Sequence, residues 1–325
     1  MILTLTPNPS VDATLTLPEP LSPGSVHRLS ALDHVAGGKG VNVAHAIHLA
    51  QRPTLALFPA ASTDPFVELA TQESIPHLAI AMQERVRTNT TITQPDGTTT
   101  KLNGPGPLIS AEVRDLLLDT LVRTARQHNA AWIALSGSLP PGLPTGWYGE
   151  LVAHLRAEVP GARVAVDTSD AAMIALGESF ERAAPHLIKP NGLELGQLVG
   201  CDGLHLEHQA EAGDYLPVVE AARSIVARGV ESVLVTLGGA GAVLVTAQGA
   251  WKATPPPTTV VSTVGAGDSS LAGYLLAATN GNAPEQCLRQ AVAYGSAAAA
   301  LPGTTLPRPE QVDMEKTQIS AIDHA

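Results

Sequence analysis

The chain is poor in cysteine, has no run of basic residues and contains no long apolar stretch, and each shortage excludes a class of function. Cys201 and Cys287 are the only cysteines in 325 residues, far apart and in no metal-ligand spacing. They make no disulfide framework and fit a reducing compartment. Lys and Arg number 19 against 30 Asp and Glu, a formal charge of -11. Nucleic-acid backbones and anionic membranes need clustered cations, so neither is an expected partner. A small anionic substrate remains compatible, held by a few well-placed cations and backbone N–H groups. Apolar runs such as 297–301 fall far short of the roughly 20 residues that cross a bilayer. Met1 to Pro9 opens as a strand and meets Pro7 and Pro9. It lacks the charged start and long apolar stretch of a signal peptide. The expectation is a cytoplasmic protein without internal repeats.

What is present is an ordinary globular composition, 44% hydrophobic and 15% charged, in a chain long enough for a large core. Segments 132–135, 164–166, 187–188 and 233–237 read as buried strands. Between them lie helical patterns. Val113, Leu116, Leu117, Leu121, Val122 and Ala125 recur at helix spacing behind Ser110 as N-cap. Val218, Val219, Ala222, Ile225 and Val226 repeat the pattern. Such alternation predicts an α/β fold, a mostly parallel sheet with helices on both faces.

Two regions break the rhythm. Segments 12–17 and 26–35 are β-like, and 85–93 and 98–102 are Thr-rich strands flanking the turn Pro95-Asp96-Gly97. These four strands read as a small separate sheet carried on the body as a lid, drawn from about 12–35 and 85–103 of a single domain spanning 1–325. An edge extension of the main sheet is the alternative. Segment 200–214 is polar and reads as a surface connection, and the chain after Arg308 offers no motif.

The chemistry concentrates in Ser262-Thr263-Val-Gly265-Ala266-Gly267-Asp268-Ser-Ser-Leu-Ala-Gly-Tyr274. Leu271, Tyr274, Leu275 and Ala278 have helical spacing, so a helix begins near Gly265 or Ala266. Its first N–H groups, from Gly265 to Asp268, face outward with the positive end of the dipole and form an anion hole. An acid there repels phosphate unless it accepts the proton of an attacking hydroxyl, and that is the role expected of Asp268. Favourable helix-dipole placement is the plainer reading of the same residue.

A second glycine-rich turn, Gly37-Gly38-Lys39-Gly40-Val-Asn42, enters a helix through Val41, Ala44 and Ile47. It is not a Walker A loop, because Lys39 is followed by Gly. Lys39 and Asn42 can reach a phosphorylated sugar. Lys189-Pro190-Asn191-Gly-Leu-Glu194 puts an amide and a carboxylate at a strand end, a set suited to water-bridged Mg²⁺, although Asn191 could equally cap the helix. Thr236-Leu-Gly238-Gly-Ala-Gly241 is followed by strand-like residues, so it reads as a turn against an adenosine rather than a dinucleotide loop.

Together these motifs resemble the ribokinase-like carbohydrate kinases, in the phosphofructokinase branch that includes bacterial 1-phosphofructokinase and tagatose-6-phosphate kinase. Both glycine signatures occur in family order, along with Ser136-Gly-Ser138-Leu-Pro-Pro-Gly142 and Val166-Asp167-Thr-Ser169. The resemblance implies a Mg-ATP-dependent kinase, with a monovalent cation as a further possible requirement, and a homodimer joined through the lid. It implies Asp268 as base, with Gly265, Ala266 and Gly267 as anion hole. Asp12, Gly38, Lys39, Asn42, Arg87 and Ser138 would hold a phosphorylated ketohexose. Lys189, Asn191, Glu194, Thr236, Gly238, Gly241 and Thr263 would lie on the nucleotide side, with Glu194 meeting the metal through water. Lys39 in Gly-Gly-Lys-Gly looks like the 1-phosphofructokinase form, implying D-fructose 1-phosphate as acceptor; tagatose 6-phosphate and fructose 6-phosphate are the alternatives. A non-catalytic sugar-phosphate sensor would have no need of Asp268. A metal module on His205 and His208 lacks a suitably spaced third ligand.

Overall fold

A computed structural model describes residues 1–322. The chain opens with β1 (Ile2–Leu5), β2 (Ser10–Thr16) and β3 (Ala31–Gly37), then enters α1 (Lys39–Leu49). It continues through β4 (Thr54–Pro59), α2 (Pro65–Gln72), β5 (His77–Ile80), β6 (Arg87–Thr93), β7 (Thr99–Asn103) and α3 (Ala111–Gln127). Regular alternation follows: β8 (Trp132–Ser136), α4 (Trp147–Glu158), β9 (Arg163–Asp167), α5 (Asp170–Ala183) and β10 (Leu187–Ile188). Three helices, α6 (Gly192–Val199), α7 (Gly203–Glu211) and α8 (Leu216–Val226), lead to β11 (Ser232–Thr236). The hairpin of β12 (Ala242–Thr246) and β13 (Gly249–Thr254), helices α9 (Ala266–Thr279) and α10 (Pro284–Ala299), and β14 (Gln318–Ala321) complete it.

Ten strands form one sheet in the order β14-β13-β12-β11-β10-β9-β8-β1-β4-β5. From β11 to β5 every pairing is parallel, while β12, β13 and β14 extend the sheet antiparallel. Successive residues of the central strands feed two cores, because side chains alternate across a sheet. Ile2, Trp132, Ala134, Ala165, Leu187 and Leu234 face α1, α9 and α10. Leu3, Ile133, Leu135, Val164, Val166, Val233 and Val235 face α3, α4, α5 and α8. Burial on both faces is why these strands read as nearly unbroken apolar runs.

The four remaining strands form the separate small sheet expected, in the order β3-β2-β6-β7. Its pairings are mixed, with β2 and β6 parallel and both outer pairs antiparallel. The first outer strand begins only at Ala31, so the expected β-character of 26–30 is not realised.

One further expectation is corrected, and the tail gains a role. Segment 200–214 contains α7: Asp202 Oδ1 accepts from Leu204 N–H at 3.0 Å and His205 N–H at 3.3 Å, and Leu206 and Ala210, four apart, are buried. An N-cap with one buried stripe suffices for a short packed helix. The chain after Arg308 supplies β14, whose pairing with β13 covers an otherwise open sheet edge. Among the described residues no helix is long and apolar enough to cross a membrane.

Candidate active site

The parallel strands deliver their polar residues at their carboxyl ends, the edge where open α/β sheets hold ligands. From β1 the strand order runs one way through β4 and β5 and the other way through β8, β9, β10 and β11, so the switch point lies between β1 and β8. Just beyond it, Asn8 Nδ2 donates to Ser138 Oγ and to the Pro105 carbonyl, each at 3.2 Å. The next strands bring Asp167 to the end of β9, Lys189 just past β10 and Thr236 to the end of β11.

Asp268 lies in the first turn of α9, behind the N-cap Gly265. The N–H groups of Gly267 and Asp268 have no intrahelical acceptor at this position. The Ala266 N–H is already drawn to the Thr263 carbonyl at 3.4 Å, a long bond that an anion can displace. Asp268 is 8% exposed, and its Oδ2 accepts from Asn42 Nδ2 at 2.8 Å. Burial, reinforced by the charge of Asp167, pushes the Asp268 carboxyl up to about 6, against the pull of Lys39, the Asn42 hydrogen bond and Lys189. A carboxyl tuned toward neutrality by its surroundings has the character of a general base.

Beside it, one buried carboxylate gathers two lysines. Lys39 Nζ lies 2.9 Å from Asp167 Oδ1, and Lys189 Nζ lies 3.1 Å from Asp167 Oδ2. Burial alone would raise the Asp167 carboxyl, but Lys189 and Lys39 hold it below the usual carboxylate range. Desolvation likewise works against the Lys39 ammonium, yet Asp167, Asp268 and Glu194 raise its pKa well above the ordinary value. Lys39 is therefore tied to Asp167 rather than free above the cleft. Lys189 also reaches the start of α9, since a Cβ on Gly267 would sit 3.3 Å from its Nζ.

Asp167 is the residue that sequence reasoning left out of the site. Its motif was visible, but no local pattern signals that a lysine 128 positions away meets it.

Asn191 does cap α6. Its Oδ1 accepts from Glu194 N–H at 2.7 Å while Glu194 Oε2 accepts from Asn191 N–H at 2.8 Å, a reciprocal capping box. One oxygen of Glu194 is thus committed to the backbone. Burial raises the Glu194 carboxyl, opposed by Lys39. Asn191 bridges to Thr236, whose N–H donates to the Pro190 carbonyl at 3.0 Å. That contact joins the Lys189-to-Glu194 segment to the turn at Gly238 and Gly241. Gly241 has its own packing reason: φ is 90°, and a Cβ would lie 2.0 Å from the Ala253 carbonyl oxygen.

The small sheet adds a second polar group. Asp12 Oδ1 accepts from Ser10 Oγ at 2.7 Å and from Asn89 Nδ2 at 3.1 Å. Burial raises the Asp12 carboxyl despite those bonds and the nearby Arg87. Gly37 lies beneath it, where a Cβ would come within 2.2 Å of Oδ2. Gly38 follows at φ 117°, as the chain turns into α1. Arg87 donates through Nη1 to the Gly104 carbonyl at 2.8 Å, and its buried Nε has no acceptor. A guanidinium with a buried, unpaired N–H is primed for an anion.

The expected residues therefore fall into linked groups: Asp268, Asn42, Lys39, Lys189 and Glu194 around the start of α9, and Asp12 and Arg87 on the small sheet. Ser138 stands at the switch point, Thr236 ends β11, and Gly238 and Gly241 follow it. Among the described residues no three carboxylate, thiol or imidazole groups converge as a ready-made metal cage. The oxygen donors present fit Mg²⁺ carried mainly by substrate phosphates, which needs only one or two protein carboxylates.

The family model for pfkB family carbohydrate kinases matches residues 6–311, and the chain belongs to that family. It is a sugar-phosphate kinase that uses ATP to phosphorylate a hydroxyl. The chain is 35% identical over 321 residues to the 1-phosphofructokinase of Haloferax volcanii, covering 98% of this chain and 97% of that protein. It is 37% identical over 315 residues to the 1-phosphofructokinase of Rhodobacter capsulatus, covering 96% and 94%. Phosphofructokinase-2 from Escherichia coli, solved in complex with substrates and products, matches with a TM-score of 0.83 at 29% identity over 95% of this chain and 96% of that one. The same enzyme has been solved with potassium and in a tetrameric inhibited form.

Proposed function

We propose that the chain transfers the γ-phosphoryl group of ATP to O6 of D-fructose 1-phosphate, giving D-fructose 1,6-bisphosphate and ADP. The observation that carries this reading is Asp268: a buried carboxyl at the start of α9, held by Asn42 and pushed up to about 6. In this reading Asp268 takes the proton of the attacking hydroxyl as the new P–O bond forms and the bond to ADP breaks. The N–H groups of Gly265, Ala266 and Gly267, with Lys189 beside them, stabilise charge on the phosphoryl oxygens. A sugar-phosphate sensor would gain nothing from such a base.

Asp12, Gly38, Lys39, Asn42, Arg87 and Ser138 are assigned to the sugar phosphate. The unpaired Nε of Arg87 supports a phosphate contact there. Lys189, Asn191, Glu194, Thr236, Gly238, Gly241 and Thr263 are assigned to the nucleotide side. Mg²⁺ neutralises phosphate charge when bound, and Glu194 is its proposed partner, through water. The potassium complex of the Escherichia coli enzyme supports a monovalent-cation site as well. Fructose 1-phosphate is favoured because the curated relatives described above are 1-phosphofructokinases.

Homodimerisation through the small sheet is also proposed. The register sets Leu15 opposite Leu32 and Ile92, and Leu102 opposite Thr90 on the same face. Leu32 is 52% and Leu102 57% exposed there, apolar area suited to a second copy. A cytoplasmic location is proposed as well, supported by the two free cysteines.

A coupled ADP-release assay tests the reaction, comparing fructose 1-phosphate, fructose 6-phosphate and tagatose 6-phosphate at equal concentration. The highest kcat/KM is expected with fructose 1-phosphate; a preference for either competitor reassigns the acceptor, and no release with any of them ends the kinase reading.

A further inference from the structure

Helix α2 is flanked by an acid at each end; one reaches β3 of the small sheet and the other the residue just before β6. The N-cap Asp64 is buried; its Oδ1 accepts from Phe66 N–H and its Oδ2 from Val86 N–H, both at 2.9 Å. Val86 immediately precedes Arg87 at the entry to β6. At the other end, Glu73 Oε1 accepts from Ala36 N–H at 3.1 Å, and its Oε2 lies 3.5 Å from His45 Nδ1. Ala36 stands just before Gly37 and Gly38, and His45 lies on α1 beyond Lys39. Glu73 thus closes the corner that presents Gly38 and Lys39.

The helix itself is fixed to the body. Phe66 and Ala70 are fully buried in the main core, and the Phe66 ring meets Phe58 edge-on at 4.8 Å. Its outer side does not fill the space beneath the small sheet. A cavity of about 440 Å³ lies there, lined by Pro65, Glu68 and Gln72 on one side and Val11, His34 and Thr88 on the other. Beside that cavity α2 packs on β2 and β3, and the two carboxylates add a hydrogen-bonded tie at each end of the helix. Each makes a charge-assisted hydrogen bond to a backbone N–H, roughly twice as strong as a neutral one.

We infer that Asp64 and Glu73 are positioning residues for sugar-phosphate binding. Through α2 they tie the Arg87 strand and the Gly38–Lys39 turn to one rigid element, so that both halves of the phosphate site keep a fixed separation. Preorganisation of this kind favours binding, because the cost of ordering the two anchors is met by the fold rather than on association. The inference rests on the assignment of Arg87, Gly38 and Lys39 to the sugar phosphate.

Kinetics of Glu73→Leu, Glu73→Gln and Asp64→Asn test it, each with sugar phosphate and ATP varied separately. Glu73→Leu removes the acceptor, and the KM for sugar phosphate is expected to rise about tenfold with kcat and the ATP KM changed by less than about twofold. Glu73→Gln keeps an acceptor oxygen and should restore the wild-type KM. Asp64→Asn keeps one acceptor oxygen where two N–H groups need one each, so it should raise the same KM and speed hydrogen exchange at Val86 or Phe66. If Glu73→Leu does not fold, Asp64→Asn decides alone. An unchanged sugar-phosphate KM, an equal rise in the ATP KM, or no rescue by Gln overturns the inference. An Arg87→Ala control separates the two layers: if its sugar-phosphate KM is normal, the assignment of Arg87 fails first.

Discussion

The Asn42 side chain donates to Asp268 Oδ2 at 2.8 Å, joining the first helix of the chain to the ninth across 226 positions. This bond favours the ionised carboxylate, while burial favours the protonated one. The balance leaves Asp268 poised near the pH at which a base works.

Asp268→Asn is expected to keep ATP binding and lose about 10²-fold or more in kcat, because a positioned base contributes roughly that much. The same substitution should stabilise the folded protein. A carboxyl that ionises near 3.8 in the unfolded chain but at about 6 when folded opposes folding increasingly between those values, and fully above the higher one. Melting curves should therefore show the variant above wild type at pH 7, with the gap closing near pH 4.

The wild-type rate should fall as pH drops through about 6, where Asp268 takes up its proton. Asn42→Ala removes a hydrogen bond that lowers this pKa, so the acid limb of the kcat profile should move to higher pH. A limb that stays in place in Asn42→Ala would detach it from Asp268.

Arg87→Ala should raise the KM for sugar phosphate with little change in kcat, because a phosphate clamp acts alike in ground and transition states. Steady-state kinetics with ATP saturating measure it. An unchanged KM removes Arg87 from the site.

Asp167→Asn leaves Lys189, which is almost wholly buried, without its counter-charge. Breaking a buried pair from one side costs about 3–5 kcal/mol, with the low end expected because Lys39 is one-third exposed to water. Denaturant unfolding measures the loss. The Asp167 carboxyl is held below its ordinary value of 3.8, so its contribution is present above pH 3.8 and fades as pH falls below that.

Gly241→Ala forces a Cβ against the Ala253 carbonyl oxygen from a left-handed backbone, and a loss of about 1–3 kcal/mol is expected. A normal melting temperature with a raised ATP KM would instead make the glycine a nucleotide contact alone.

Much of the fold was legible because the signals are local. Ser110 capping α3 through Val113 N–H, at 3.3 Å, and the turn at Gly97 both follow from residue type and spacing. Helix α7 was missed because its buried stripe is only Leu206 and Ala210, too short to register as periodicity. The tail strand β14 was missed because Gln318 to Ala321 acquire strand character only by pairing with β13.

By itself the sequence determined the alternating strands and helices of the body, where the glycine turns stand, and that an acid occupies the start of α9. Those properties depend on backbone preference and on neighbours a few positions apart. Only the tertiary structure decided that Lys39 meets Asp167, that Asn42 meets Asp268, and that the two ends of α2 hold the small sheet. These contacts join residues far apart in the chain, and the pKa of Asp268 depends on how completely the fold removes it from water.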